Sequence, residues 1–337
     1  MNVGALTIEA LYQDLLKADP EGSIHTPAGF TWWADQYAQH IEVIGADGAP
    51  EDDRGVLVVV RTEVLREVTL DEVARRALNN LLMAFASLAG PVYDPTTRTV
   101  QLYSRLWLHE DTRPWMTPLL RWAALLQLSE AQRRAPELAT LLHTDIAASG
   151  PPARGLRPTP DERMAIVPRL IAPHGAQPSR WSAAEFTDTV ERFLQQPPAV
   201  LATGGGAGFT VEFPFGDQTS LCQALGDQPH PSYGNGLFLL QSFPIDAQTE
   251  AAGLRLALDL NRVEFTEPPA GYGLGSYCYQ HHGLHFVSFF PNIAYRAGLL
   301  PNLYYAAAQR ARDLAVRLTG QDWTPESFAL ARSGVGR

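Results

Sequence analysis

Residues 203–213 read TGGGAGFTVEF, and the letters AGFT within this stretch also stand at residues 28–31. In both places these letters follow a segment with helical periodicity and open a segment with strand character. Four matching letters are weak by themselves, but they fall in register with further elements that occur in the same order. The sequence therefore predicts an internal duplication.

The other predicted elements of the two copies correspond along the chain. The matching pairs are a strand over 56–60 with 236–240, a helix over 70–89 with 246–263, a hairpin over 93–108 with 277–290, and a helix over 114–142 with 293–318. Apolar residues at helical spacing predict the buried side of the first of these helices. They are Val73, Ala77, Leu78, Leu81, Phe85 and Leu88.

Each copy thus reads helix, three strands, helix, two strands, helix. The predicted fold class is α+β, with two tandem domains that each form an antiparallel sheet with packed helices in the order α-β-β-β-α-β-β-α. We expect the first domain over 1–144, a Pro-rich linker over 145–180 with one short strand in 165–171, the second domain over 181–320, and a C-terminal tail over 321–337.

In each copy a helix that ends near an asparagine leads to an aromatic-rich hairpin. The stretches are Ala77-Leu78-Asn79-Asn80 before Tyr93 and Val100–Trp107, and Leu258–Arg262 before Tyr277 and Phe286–Phe289. This pattern is similar to the YbjN family and the related type III secretion chaperones. The resemblance implies an antiparallel sheet covered by helices, a dimer, and binding of other proteins rather than catalysis. Chaperone members are single domains, so the two copies pair either with each other or with a second chain.

Composition and charge narrow the function classes. The chain has 26 basic and 36 acidic residues, a formal net charge of −10, which argues against direct nucleic-acid binding through a broad basic surface. Two cysteines exclude a disulfide framework. The N-terminal stretch lacks the pattern of a signal peptide, and no apolar run is long enough to span a membrane. We expect a cytoplasmic protein with no membrane partner.

The Gly-rich run raises the question of a nucleotide site. A dinucleotide fingerprint needs G-x-G-x-x-G followed by a helix that faces the phosphates. Here Phe209 stands at the last glycine position, and the segment that follows has strand character. We interpret Gly204-Gly205-Gly206 as added length before the first strand of the second copy, and we predict no cofactor.

The stretch CYQHHGLH at 278–285 is the main candidate for a metal site. If His282-Gly283 forms a two-residue turn, Cys278 shares one sheet face with His285, while His281 points to the other face. One face then offers two ligands, fewer than a zinc site needs. No metal site is predicted, and a metal or ligand site at Cys278 and His285 is kept as the alternative.

A protein-binding surface is predicted from aromatic and cationic residues. Alternation along the strand at 99–107 places Tyr103, Arg105 and Trp107 on one face. The simpler interpretation of this face is that another helix of the same chain covers it. With two neighbouring tryptophans of the first copy, the candidate binding residues are Trp32, Trp33, Tyr103, Arg105 and Trp107.

These observations favour a non-catalytic protein-binding module, a chaperone-like or adaptor protein that holds a partner in the cytoplasm as a homodimer. The acidic balance favours a basic client, including one that itself binds nucleic acid. No H-E-x-x-H, G-x-S-x-G or paired-carboxylate motif occurs, so an enzyme is not expected. The alternative is a metal- or ligand-binding protein or enzyme that uses the His-rich hairpin 278–285.

Overall fold

The fold is known from a computed structural model, which describes residues 2–16, 20–44, 55–162, 164, 167, 177–189, 208–226, 228–267 and 273–322. Three sequence predictions lie wholly or mostly outside these residues. They concern the Gly-rich run at 204–206, the short strand over 165–171 and the tail over 321–337.

We call the described residues up to 167 the first half and those from 177 the second half. In chain order the first half contains α1 (Val3–Leu16), β1 (Ser23–Thr26), β2 (Gly29–Trp32), β3 (Gln39–Ile44), β4 (Val56–Arg66), α2 (Glu72–Leu78), β5 (Gly90–Asp94), β6 (Thr99–Leu108), α3 (Arg113–Leu142) and β7 (Asp145–Ile146). α2 continues directly into a π-helix over Asn79–Met83.

The second half has a similar succession of elements. It contains α4 (Ala183–Thr189), β8 (Gly208–Phe215), β9 (Gln218–Gly226), β10 (Gly236–Phe243), α5 (Glu250–Thr266), β11 (Ser276–Gln280), β12 (Gly283–Pro291), a 3-10 turn (Asn292–Ala294) and α6 (Leu299–Thr319).

The structure is mixed α and β, with antiparallel sheets and packed helices. The first sheet runs β1-β2-β3-β4-β6-β5, with β7 paired to the end of β4. The second sheet runs β11-β12-β10-β9-β8. Counted from β2, the first sheet runs β2-β3-β4-β6-β5, and counted from β8, the second sheet runs β8-β9-β10-β12-β11. In both of these sets, the fifth strand in chain order lies between the third and the fourth.

Local sequence explains where several elements begin. Asp71 caps α2 by accepting from the Ala74 amide at 2.8 Å, and Thr249 caps α5 by accepting from the Ala252 amide at 3.2 Å. β4 buries Val58 and Val60 completely, as expected for a central strand.

One continuous hydrophobic core joins the halves. It includes Leu82 and Leu102 from the first half and Leu258 and Phe289 from the second. Polar contacts also cross the junction, since the Ser87 hydroxyl donates to the Phe289 carbonyl at 2.8 Å. The two halves consequently pack as one body.

Three local predictions differ from the structure. Strand β1 is a fourth strand before α2, where three were predicted, and β7 extends the first sheet into the expected linker. The prediction that Val73 and Phe85 line the buried side of a helix is wrong, because these residues are 55% and 45% exposed. The π-helical turn rotates the side chains that follow Leu78, and the helix ends before Phe85. Val73 lies in the first turn of α2, ahead of this rotation.

Across the described parts of the chain, no helix is both long enough and apolar enough to cross a bilayer.

Candidate functional site

The first sheet has two faces with different surroundings. Gln39 donates to the Ala124 carbonyl of α3 at 2.9 Å, and the Thr62 hydroxyl donates to Gln127 of α3 at 2.8 Å. Since side chains alternate along a strand, the residues next to Gln39 and Thr62 point away from α3. We call this second side the outer face.

Polar residues form a row across four strands of the outer face. Thr31 of β2 pairs with His40 of β3, His40 pairs with Arg61 of β4, and Arg61 pairs with Tyr103 of β6. Glu42 lies two residues beyond His40 on one side of this row, and Glu63 lies two residues beyond Arg61 on the other side. The side chains of His40, Glu42, Arg61 and Glu63 are 17%, 19%, 27% and 20% exposed, so solvent reaches all four.

Short contacts join these residues diagonally. Arg61 donates to Glu42 at 3.3 Å, and Arg66 donates to Glu63 at 2.8 Å. His40 Nε2 lies 3.5 Å from Glu63 Oε1, which is long for a hydrogen bond and makes this contact mainly electrostatic. The contact with His40 has the largest effect on the pKa of Glu63 and lowers it. Burial raises this pKa, Arg66 lowers it, and the result is a pKa of about 2. Glu63 is therefore ionised at any ordinary pH.

Thr31, His40 and Glu63 stand in the order hydroxyl, imidazole, carboxylate. The Thr31 hydroxyl lies 2.9 Å from His40 Nδ1, and nucleophilic hydrolases use this order of groups. However, Thr31 is only 4% exposed, which leaves little access for a substrate carbonyl. We interpret the three residues as a hydrogen-bonded brace across β2, β3 and β4.

The second half covers the β6 end of the outer face. The Tyr103 ring lies 6.2 Å from the Phe265 ring of α5. The Arg105 amide donates to the Gly273 carbonyl at 3.0 Å, and its guanidinium donates to the Glu267 carbonyl at 3.0 Å. Arg105 is consequently 1% exposed, while Tyr103 and Trp107 remain half-buried. A helix of the same chain thus covers part of this face, in agreement with the simpler interpretation of the sequence.

Sequence reasoning missed the charged part of this site. The available signal was the alternation of polar residues at 40 and 42 in β3 and at 61 and 63 in β4.

No protein-family model, curated protein or solved structure matches this chain. The contacts and the exposure of the outer face are therefore the grounds on which a function is proposed.

The predicted binding residues Trp32 and Trp33 lie inside the first half. Trp32 is fully buried and Trp33 is 6% exposed. The Trp33 indole donates to the Ser149 hydroxyl at 3.1 Å, so it ties the segment after β7 to the sheet. In this structure neither tryptophan presents its ring to a partner. The outer face brings together Tyr103, Arg105 and Trp107 of the five predicted residues, and the second half covers Arg105.

The His-rich hairpin has a different turn from the predicted one. His281 and His282 form the turn with φ of +49° and +60°, Gln280 pairs with Gly283, and Cys278 pairs with His285. An edge-to-face contact between Tyr277 and Phe286 at 5.1 Å supports this register. Cys278 and His285 still share a face, but as a directly opposed pair.

Neither residue of this pair offers a free ligand atom. Burial raises the pKa of the Cys278 thiol to about 12, so the thiolate that binds metals is scarce. The two ring nitrogens of His285 lie 2.9 Å from the Ser242 hydroxyl and 3.2 Å from the Gln280 carbonyl. Among the described residues, no group of three or more His, Cys, Asp and Glu side chains is arranged to hold a metal ion.

Proposed function

We propose that this chain is a non-catalytic adaptor of the cytoplasm, similar to the YbjN family and the type III secretion chaperones, which holds a basic segment of a partner protein along the outer face. The observation that carries the proposal is the row of polar residues that ends at Tyr103, because solvent reaches His40 and Arg61 of this row and the flanking Glu42 and Glu63. Tyrosine and arginine are enriched in protein interfaces, and polar residues surround them at the rim.

Charge supports a basic partner. Glu42, Glu63 and Asp94 all raise the pKa of Tyr103 electrostatically, while Arg61 acts in the opposite direction, and burial adds the largest upward effect. Three carboxylates thus act on this ring, with Arg61 beside Glu42 and Arg66 beside Glu63. Arg61 contacts Glu42 only at 3.3 and 3.4 Å, so a partner's lysine or arginine can compete for that carboxylate.

We further propose that the chain consists of two copies of one α+β unit. The shared strand order supports this proposal, as do the starts of corresponding strands: β2 and β8 begin at Gly29 and Gly208, and β4 and β10 begin at residues 56 and 236. In this proposal the two tandem domains are two copies of an ancestral unit. They are not separate packing units, since the halves share one core.

The partner-binding proposal is tested with paired variants. We expect purified wild-type protein to bind lysine- and arginine-rich peptides, measured by fluorescence anisotropy, and to capture a specific protein from a native lysate. Glu42→Lys and Tyr103→Ala should each weaken both interactions at least about tenfold, because they reverse a charge or remove the aromatic contact. The affinity should fall as salt is added.

The matched control is Glu137→Lys, which makes the same charge change at a 52% exposed carboxylate on α3, on the other side of the sheet. It should bind like the wild type. Absence of a specific partner at low and at physiological salt, or equal losses in Glu42→Lys and Glu137→Lys, would contradict the proposal.

The resemblance implies that two chains pair. We infer that the two halves of one chain pair with each other instead. Asn79 and Arg105 of the first half bind backbone groups of the second, in support of this inference. The homodimer predicted from the sequence stays a prediction. Light scattering distinguishes the two states, since internal pairing gives 37.0 kDa and a homodimer gives twice that mass.

A further inference from the structure

A loop of the second half closes on itself and packs against the first half. The His230 amide donates to the Gly234 carbonyl at 2.8 Å, and the Gly234 amide donates back to the His230 carbonyl at 3.2 Å. Gly234 has a φ of +69°, a conformation that glycine adopts without strain. We call residues 228–235 the interface loop.

Two side chains of the interface loop make polar contacts with the first half. His230 Nε2 lies 2.9 Å from the Phe85 carbonyl oxygen, and the Tyr233 hydroxyl donates to Glu130 of α3 at 2.6 Å. The imidazole stacks on the Tyr233 ring at 4.6 Å and lies 4.9 Å from the Phe289 ring. His230 is 9% and Tyr233 is 3% exposed, so the junction encloses both.

The hydrogen bonds of His230 fit only the neutral imidazole. The Ser232 amide donates to Nδ1 at 3.1 Å, so Nδ1 carries the lone pair. Nε2 therefore carries the hydrogen and donates it to the Phe85 carbonyl. A second proton would have to sit on Nδ1, where it would meet the Ser232 N–H.

The charged groups that face His230 come from α3 and oppose one another. Glu130 favours the charged imidazole, whereas Arg133 and Arg134 favour the neutral one. Both arginines contact Glu130, and Arg133 also lies over the Tyr233 ring at 5.4 Å. Burial has the largest effect, and it lowers the pKa of His230 below its ordinary 6.5.

We propose that the interface loop is an acid-sensitive latch between the two halves, which opens when His230 takes up a second proton at Nδ1. Protonation removes the acceptor of the Ser232 N–H, so that two N–H groups meet at Nδ1, and it places a charge on a side chain that the junction encloses. The loop then leaves Phe85 and Glu130, and the rings of Tyr233 and Phe289 become accessible to solvent.

The direction of the pH effect follows from proton linkage. The closed latch binds the proton less readily than the open one, so the closed form is most stable above pH 6.5. As the pH falls from 6.5 toward the lowered pKa of His230, the closed form loses stability. Over this window, each pH unit increases the open fraction by up to about tenfold.

Hydrogen exchange of the full-length protein tests the latch. Amide exchange is followed at about pH 7.5 and about pH 5, corrected for the intrinsic pH dependence of exchange, and at low protein concentration because the pI is near 5.4. In the wild type we expect residues 228–235 and 84–88 to lose protection at the lower pH. His230→Gln keeps a donor for the Phe85 carbonyl but cannot be protonated, so its protection should not depend on pH.

His285→Gln is the matched control. Its imidazole also has a lowered pKa through burial, but its contacts stay within the second half. This variant should keep the wild-type opening of the interface loop. If His230→Gln does not fold, the His230 ring signals in an NMR titration replace it, and Tyr233→Phe should open at a higher pH than the wild type. Equal protection of the loop at both pH values in the wild type would overturn the proposal, as would an equal pH response in wild type and His230→Gln.

Discussion

The side-chain amide of Asn79 binds the backbone of Tyr279 in both directions. It donates to the Tyr279 carbonyl at 3.0 Å and accepts from the Tyr279 amide at 2.8 Å. Asn261 binds Tyr277 in the same way, at 3.0 and 2.8 Å. Two carboxamides, one from each half, thus take the place of a neighbouring strand along the edge of β11 that faces away from β12.

Removal of the Asn79 amide should therefore destabilise the whole chain. Asn79→Ala leaves two buried backbone groups of Tyr279 without partners, and we expect a loss of about 2–4 kcal/mol in the free energy of unfolding. Denaturant titration followed by fluorescence and circular dichroism measures this loss. Asn261→Ala should cost a similar amount, and the exposed Gln13→Ala should stay within about 0.5 kcal/mol of the wild type. A cost for Asn79→Ala as small as that for Gln13→Ala would refute the bridging role.

The buried ion pair of Glu264 and Arg310 allows a second prediction. Both side chains are 6% exposed and lie 2.9 Å apart, and Arg310 also stacks over Phe286 at 3.5 Å. Glu264→Ala leaves a buried charge, so we expect a loss of about 3–5 kcal/mol. Glu264→Leu combined with Arg310→Met removes both charges and should restore most of that stability. A double variant no more stable than Glu264→Ala would show that the pair itself is strongly stabilising.

Acid should weaken the brace on the outer face. The pKa of Glu63 is lowered from 4.5 to about 2, so Glu63 stabilises the fold above pH 4.5, and this contribution is lost as the pH falls toward 2. For a side chain that is 20% exposed, the contribution is at most about 3 kcal/mol. We expect Glu63→Gln to flatten the difference in unfolding free energy between neutral and acidic pH, whereas Glu137→Gln should keep the wild-type profile. Identical profiles for all three proteins would exclude this role.

The turn of the His-rich hairpin is expected to accept better turn residues. His281 and His282 both have positive φ, which type I′ turns require and which Asn-Gly adopts most readily. The double change His281→Asn and His282→Gly should stabilise the protein by about 1 kcal/mol, seen as a higher Tm. The double change His281→Gln and His282→Gln keeps a side chain at both positions of positive φ, so it should not raise the Tm. An unchanged or lower Tm for the Asn-Gly variant would place the turn elsewhere, for example at His282-Gly283.

Several strands were predictable because their signals are local. The repeated Ala-Gly-Phe-Thr places the starts of β2 and β8, and the apolar runs from 56 and 236 place β4 and β10. Turn residues, caps and apolar runs act within a few positions, so one sequence is enough to find them.

The candidate site was harder to predict because it depends on register. His40 contacts Glu63 and Thr31 only when β2, β3 and β4 pair in one particular register. The spacing of residues in the sequence does not determine that register. The burial of Arg105 depends on backbone groups at 267 and 273 in the other half. Pattern analysis assigns such a residue to a face, but it cannot say whether a distant segment covers that face.

The bond between Asn79 and Tyr279 joins residues 200 positions apart, and this separation bears on how the protein is made. During synthesis the first half emerges long before β11 and β12, which provide the partners of Asn79 and Ser87. Until then the nascent chain exposes the polar and apolar groups of its own junction. We expect slow, late completion of folding once the C-terminal strands leave the ribosome, since long-range pairing is formed last and at the greatest entropic cost.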